Sequence, residues 1–380
     1  MVKLGTVISQ AKNIRCGEHN YPVLSMTMHD GLIFQDDKFK KVIASANRSE
    51  YKVVYRNQLV VSFPIDEGVL AAQRITDVGI VSPAYTIWDI DQAKILPEFL
   101  EYALRCDRSI NYYKAKLRGS TARRRSLPTP TLLEHTIPLP AIDAQRYILE
   151  IIHKSRNVLE TRKIQLQKLD MLVRARFVEM FGDENNSKNW NVVNVEDVAD
   201  VQVGVVIKPS QYYTDESEGV RAFRSLNIGA GFIKDIDWVY FTKEGHLKNS
   251  KSILKENDLL IVRSGAPGTA CVVTEEYAGC NAVDIIIAHP DCEKVNPYYL
   301  CTFTNMPHGK KQIDEGIGGA AQQHFNVGKY NKLQLMLPPK TLQDEFGDFI
   351  NQVDKSKDSV QKALDEAQLL FDSLMQQYFG

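Results

Sequence analysis

The segment LRGSTARRRS, residues 117–126, gathers four arginines into ten positions. Arg118, Arg123, Arg124 and Arg125 supply guanidinium groups, which clamp phosphate or pair bidentately with the edge of guanine. Gly119 permits a close backbone approach, and Ser120 and Thr121 add hydroxyls. Two hundred residues on, GIGGAAQQHFN (316–326) places Gln322, Gln323 and His324 where those arginines stood. Glutamine pairs with N6 and N7 of adenine. Lys310 and Lys311, just upstream, suit phosphate, and RSGAPGTA (263–270) is a Gly-rich turn in which Arg263 and Ser264 are further contact candidates. That turn lacks the Lys-Ser/Thr end of a P-loop. Its counterpart, SFPIDEGVLAAQ (62–73), carries two acids and reads as a structural loop. The chemistry on offer is non-covalent reading of nucleic acid. The rival for every segment is a solvated loop or a turn closed by its own hydrogen bonds.

Covalent chemistry finds less support. NPYY (296–299) resembles an Asn-Pro-Pro-Tyr amino-methyltransferase signature but lacks its second proline, and its partner in the other half is LPEF (96–99). A helix start with proline near the first position accounts for both. Asp37, Glu50 and Lys52 mimic the spacing of a nuclease metal site, a pattern that arises often by chance in a charged chain. Cys16 and His19 form half a zinc site with no second half, and the lone histidines at 29, 135, 153 and 246 read as surface or internally satisfied residues.

These segments sit in a chain that repeats itself. YPVLSMTMHDGLIFQD (21–36) resembles VRAFRSLNIGAGFIKD (220–235), RNQLVVS (56–62) resembles ENDLLIV (256–262), and LPEFLEYAL (96–104) meets NPYYLCTFT (296–304). RGSTARRRSL (118–127) meets GGAAQQHFNV (318–327), and KLDMLVRARF (168–177) meets LFDSLMQQYF (370–379). A Leu-Pro-x4-Gln element stands at Leu139-Pro140 with Gln145 and again at Leu337-Pro338 with Gln343. All offsets fall between 198 and 202, so the order and spacing indicate a duplication. Each copy opens with short β-rich runs broken by Gly, Pro and Asn, and closes with one long helical pattern. Positions 152, 159, 166, 173 and 180 are Ile, Leu, Leu, Val and Met; positions 346, 353, 360, 367 and 374 are Phe, Val, Val, Ala and Leu. A second column, 350, 357, 364, 371 and 378, reads Ile, Lys, Leu, Phe and Tyr. Heptad columns of this length predict a coiled coil, and antiparallel pairing of the two helices is the natural expectation. From 346 to 378 such a helix runs about 50 Å, comparable to a little more than one ~34–36 Å DNA turn.

The chain of 380 residues carries a formal net charge of −1, which disfavours a uniformly basic nucleic-acid binder. Residues 1–182 nevertheless hold 27 Lys and Arg against 19 Asp and Glu, net +8, and residues 183–380 hold 19 against 28, net −9. The two halves carry opposite fields. The acids of the second half cluster at DESE (215–218) and in the last helix, where none needs to face DNA. No apolar stretch is long enough to span a bilayer, and no apolar signal-peptide core begins the chain. Six scattered cysteines without a CxxC predict buried free thiols in a reducing cytoplasm.

In its duplication, its two Leu-Pro-x4-Gln starts, the GGAAQQHF loop and the helices ending in RARFVEMF and LMQQYF, the chain resembles the specificity subunit of a type I restriction–modification system. The resemblance covers the whole chain, with the first recognition domain beginning almost at Met1. It implies a mixed α/β fold: two α/β target-recognition domains separated by two long antiparallel coiled-coil helices, with a pseudo-twofold internal repeat. The expected layout is recognition domain 1 at 1–139, a central helical spacer at 140–182, recognition domain 2 at 183–337 and a C-terminal helical spacer at 338–380. It implies a non-catalytic subunit in which each domain reads one half of a bipartite asymmetric site on double-stranded DNA. Two methyltransferase subunits, which bind S-adenosylmethionine, and a motor–nuclease subunit are the implied partners, with no cofactor in this chain. The alternatives are a duplicated coiled-coil scaffold without DNA specificity and a single-chain methyltransferase that carries its own recognition domain.

Overall fold

The structure is a computed structural model that describes residues 1–28, 30–38, 48–117, 127–317 and 325–380. It separates into two compact units. The first comprises Met1–Lys163 with Lys362–Gly380, and the second Ile164–Gln361. Two 40-residue helices, Ile142–Phe181 and Lys340–Phe379, contribute one half to each unit.

One topology is built twice. In the first unit a four-stranded antiparallel sheet has the spatial order Ile8–Gln10, Thr86–Ile90, Leu59–Val61, Leu70–Ala72. In the second the order is Ala199–Val203, Ile285–Pro290, Leu259–Val262, Ala270–Val272. Helices Pro97–Arg105 and Asp107–Lys116 follow the first sheet, and Pro297–Asn305 and Pro307–Ile317 follow the second. Each unit is tied off by a short strand pair, Val2–Lys3 with Thr136–Ile137 and Asn191–Asn194 with Gln334–Leu337. The duplication read from the sequence is therefore a duplication of folds.

Strand alternation divides each sheet between two cores. Leu259 and Ile261 enter a core with Tyr299, Phe303 and the long helices, while Leu260 and Val262 face Phe223, Ile228 and Tyr277. In the first unit Leu59 and Val61 pack with Phe99, Leu100 and Ile152, and Val60 turns to Leu24, Leu32 and Val81. Strands buried on both faces read as continuous apolar runs, as LLIV and IIIA do. The outer layers differ. The first unit uses the hairpin Leu24–Thr27 with Gly31–Phe34 and the pair Lys52–Tyr55 with Val78–Val81. The second uses a four-stranded sheet of order Tyr213–Thr214, Val239–Phe241, Val220–Phe223, Asn281–Ala282.

The heptad columns face inward. Ile152, Leu159 and Met180 are buried, Leu166 and Val173 half-buried, and no residue of either column on the last helix is exposed. In the second unit Phe346, near the start of the last helix, packs on Phe177 and Phe181, near the end of the central one, at ring centroids of 5.5 and 5.4 Å. Further along, the Lys357 ammonium meets the Asp170 carboxylate at 2.7 Å. In the first unit Phe379, at the end of the last helix, shares a core with Ile148, Leu149 and Ile152, near the start of the central one. Both units therefore pair the helices antiparallel. Among the described residues no helix is long and apolar enough to cross a membrane.

Five cysteines are buried as expected, but Cys292 is exposed, because it sits in the turn between the strand Ile285–Pro290 and the helix at Pro297. Burial pushes the thiols of Cys280 and Cys301 up, to about 11 and about 12.

Candidate nucleic-acid interface

In the second unit the strands Leu259–Val262 and Ala270–Val272 are joined by the RSGAPGTA loop. Gly265 and Gly268 adopt left-handed backbone conformations there, with φ of +87° and +72°. A Cβ on Gly268 would lie 2.3 Å from Cδ1 of Ile313, so the helix Pro307–Ile317 seats directly on the loop. From that helix Lys310 donates to the Pro267 carbonyl at 3.2 Å and to Oγ1 of Thr269 at 3.4 Å. Its ammonium is half-buried, and burial lowers its pKa. Arg263 forms an ion pair with Asp284 and donates from Nε to the Phe325 carbonyl at 3.3 Å, and the Phe325 amide donates back to the Arg263 carbonyl at 3.0 Å. Ser264 lines a cleft with Ser225, Gly229, Phe232 and Lys234. Lys311 is exposed.

Arg263, Ser264, Lys310 and Phe325 are thus drawn into one region. Within it Arg263 and Lys310 spend donors on protein acceptors, which makes them anchors of the loop as much as ligands for anything outside. Gln322, Gln323 and His324 lie outside the described residues, as do Arg118, Gly119, Ser120, Thr121, Arg123, Arg124 and Arg125 of the first unit. The first unit repeats the convergence. Its hairpin loop, carrying Ser62, Phe63 and Ile65, shares a cleft with Leu127 and Leu132. Gly68, at φ +74°, faces Ile110 of the following helix.

The residues that resemble enzyme motifs have structural occupations. The Asn296 side chain accepts from the Tyr298 amide at 3.0 Å and donates to Asp344 at 2.9 Å. Tyr299 is fully buried, and its hydroxyl donates to the Met336 carbonyl at 2.6 Å. Glu50 pairs with Arg15, whereas Lys52 donates to the Tyr85 carbonyl at 2.6 Å, so the two diverge. Cys16 donates from its thiol to the His19 carbonyl at 2.8 Å. His135, His153 and His246 are satisfied by Ser109, Glu98 and Asn281 at 2.7, 2.9 and 2.7 Å, while His29 lies outside the described residues.

Sequence reasoning did not find the outer sheet of the second unit or its aromatic cluster. There Trp238 packs on Phe223 at 4.8 Å and on Tyr277 at 5.7 Å, with the Arg221 guanidinium 5.6 Å above its ring. Its strands are two to four residues long and come from distant segments, so periodicity carried no signal.

This architecture defines a class: a duplicated α/β protein in which each unit combines a four-stranded antiparallel sheet, two following helices and antiparallel stretches of two long helices. Residues 187–368 match the type I restriction modification DNA specificity domain, and the chain is similar to specificity subunits of type I restriction–modification systems. It is 23% identical over 257 residues to the MjaVIII specificity subunit of Methanocaldococcus jannaschii, covering 60% of this chain and 59% of that relative's length. A chain from a structure on complex assembly and conformational transition of the type I R-M system aligns with a TM-score of 0.59 at 15% identity, covering 100% of this chain and 96% of that one. The S subunit from M. genitalium aligns with a TM-score of 0.55 at 14% identity, covering 100% and 95%. At these identities the two structures speak for the fold alone.

Proposed function

We propose that this chain is the DNA-reading subunit of a type I restriction–modification complex, each unit recognising one half of a bipartite asymmetric site. One observation carries the reading. The same sheet, helices and loop junction are built twice, yet the matched segments 118–127 and 318–327 carry different side chains, arginines in one and glutamines and histidine in the other. Matching central scaffolds with different readers suit two dissimilar words. Arg118, Gly119, Ser120, Thr121, Arg123, Arg124 and Arg125 serve the first word, and Arg263, Ser264, Lys310, Lys311, Gln322, Gln323 and His324 the second. The paired helices set the unspecified gap.

In this reading the chain carries no reaction of its own and acts in the cytoplasm. Two methyltransferase subunits supply S-adenosylmethionine chemistry, and a motor–nuclease subunit joins for restriction. The central helix supports the docking role: Ile164, Met171 and Val178, seven residues apart, are exposed on its second-unit half, beside the inward column of Leu166, Val173 and Met180. The test is co-expression with the methyltransferase, followed by mapping of modified adenines. A bipartite motif with a constant gap is expected. Modification at one continuous word would overturn the two-reader assignment, and DNA binding with little salt dependence would favour a plain scaffold.

A further inference from the structure

The second unit carries an exposed apolar tip beside this interface. After the strand Ala199–Val203 the chain runs through Gly204–Lys208 on a fixed base. The Gly204 amide donates to the Ile285 carbonyl at 2.9 Å, the Val205 amide to the Ala282 carbonyl at 2.8 Å, and the Asp284 amide to the Val205 carbonyl at 3.2 Å. A Cβ on Gly204 would lie 2.3 Å from the Ala282 carbonyl oxygen, so the close approach requires glycine. Beyond this base Ile207 is 80% exposed and Val206 46%. Lys208 and Asp284 both hold left-handed backbone conformations, at φ +44° and +48°. Strained non-glycine residues collect at functional sites. In the first unit the chain leaving Ile8–Gln10 turns its isoleucine inward instead, the half-buried Ile14 packing against Cys16, Val53 and Ile80. The exposed tip is therefore not a property of the shared scaffold.

The tip is wired to the candidate interface. Val205 bonds Asp284, Asp284 pairs with Arg263, and the Arg263 backbone bonds Phe325, which follows the 318–324 segment. One lysine lies on it and another close to the turn that follows. The Gln211 amide donates to the Lys208 carbonyl at 3.1 Å, the Lys248 ammonium lies 5.8 Å from the Tyr212 ring centroid, and Gln202 donates to the Lys251 carbonyl at 2.7 Å. Residues 242–252 hold three lysines and one glutamate, a local net of +2 within a half whose total is −9. Lysine is depleted at protein–protein interfaces, whereas duplex DNA offers thymine methyl groups between rows of phosphates.

We propose that Val206–Lys208 contacts the duplex, with Ile207 against a thymine methyl in the major groove and Lys208 and Lys248 on flanking phosphates. The inference rests on the two-reader function and assigns the tip to the half-site of the second unit. Its test uses the complex with the methyltransferase. Ile207→Ser is expected to cut the preference for thymine at one position of one half-motif by about four-fold, leaving the other half unchanged. Because Ile207 is solvent-facing, the variant leaves the core intact. Lys208→Gln with Lys248→Gln is expected to reduce the slope of log affinity against log salt by about 1.8, about 0.9 for each lost phosphate contact. A wild-type bipartite motif with unchanged base preference in Ile207→Ser and unchanged slope in the double variant would overturn the tip assignment alone. Weakened methyltransferase assembly with an unaltered motif would overturn it in favour of a protein-docking role. A wild type that modifies a continuous word would bring down both the tip and the two-reader function.

Discussion

Gln145 and Gln343 stand 198 residues apart and make the same three hydrogen bonds. Gln145 accepts from the Leu96 amide at 2.8 Å and donates to the carbonyls of Lys94 and Pro140, both at 2.8 Å. Gln343 accepts from the Asn296 amide at 2.9 Å and donates to the carbonyls of Lys294 and Pro338 at 3.3 and 2.8 Å. Both side chains are fully buried. Each glutamine fastens the turn after the fourth sheet segment to the proline that starts a long helix, which explains why Leu-Pro-x4-Gln occurs twice. Gln145→Leu and Gln343→Leu each strand a buried amide and two carbonyls, so a loss of about 2–4 kcal/mol is expected in urea unfolding. A loss under about 0.5 kcal/mol would mean that water or a neighbour satisfies these groups.

Phe346 sits between Phe177, Phe181 and Phe349 in the core of the second unit. Phe346→Ala is expected to cost about 3–5 kcal/mol, because the rigid rings around it cannot collapse into the space. Thermal unfolding of the full chain reads this directly, and Phe346→Leu should recover part of the loss.

Lys357 and Asp170 join the two helices, but their side chains are 24% and 57% exposed. A half-solvated pair contributes little, so a double-mutant cycle with Lys357→Met and Asp170→Asn should return a coupling below about 1 kcal/mol. A larger value would assign the antiparallel register to this pair rather than to the apolar columns.

His135 is buried against Ser109, and burial, assisted by Arg108, lowers its pKa from 6.5 to about 4. Between those values the unfolded chain binds the proton and the folded chain does not. The contribution of His135 is therefore fully present above pH 6.5 and lost as pH falls towards 4. The urea midpoint of the wild type should drop across this window, and His135→Gln should flatten the decline. An equal decline in both proteins would show that other groups govern it.

Exchanging residues 118–126 for an arginine-poor segment is expected to alter only one half of the modified motif. Mapping of modified adenines reads the outcome. A change in both halves would break the assignment of one unit to each half-site.

The amino-acid sequence alone revealed the duplication, the heptad columns and the paired Leu-Pro-x4-Gln elements, because each depends on local spacing that a helix or a turn imposes wherever it lies. It also marked Pro97 and Pro297 as helix starts, where a missing amide costs nothing. Tertiary structure decided what those elements touch. Sequence could not show that Gln145 and Gln343 reach across about fifty residues to the same backbone atoms, nor that Arg263 is engaged by Asp284. It did not single out Ile207, since an isoleucine after a β-rich run reads as core until the fold leaves it in solvent. Long-range hydrogen bonds and exposure are set by which segments the sheet brings together, and that pairing is written in no single stretch of the chain.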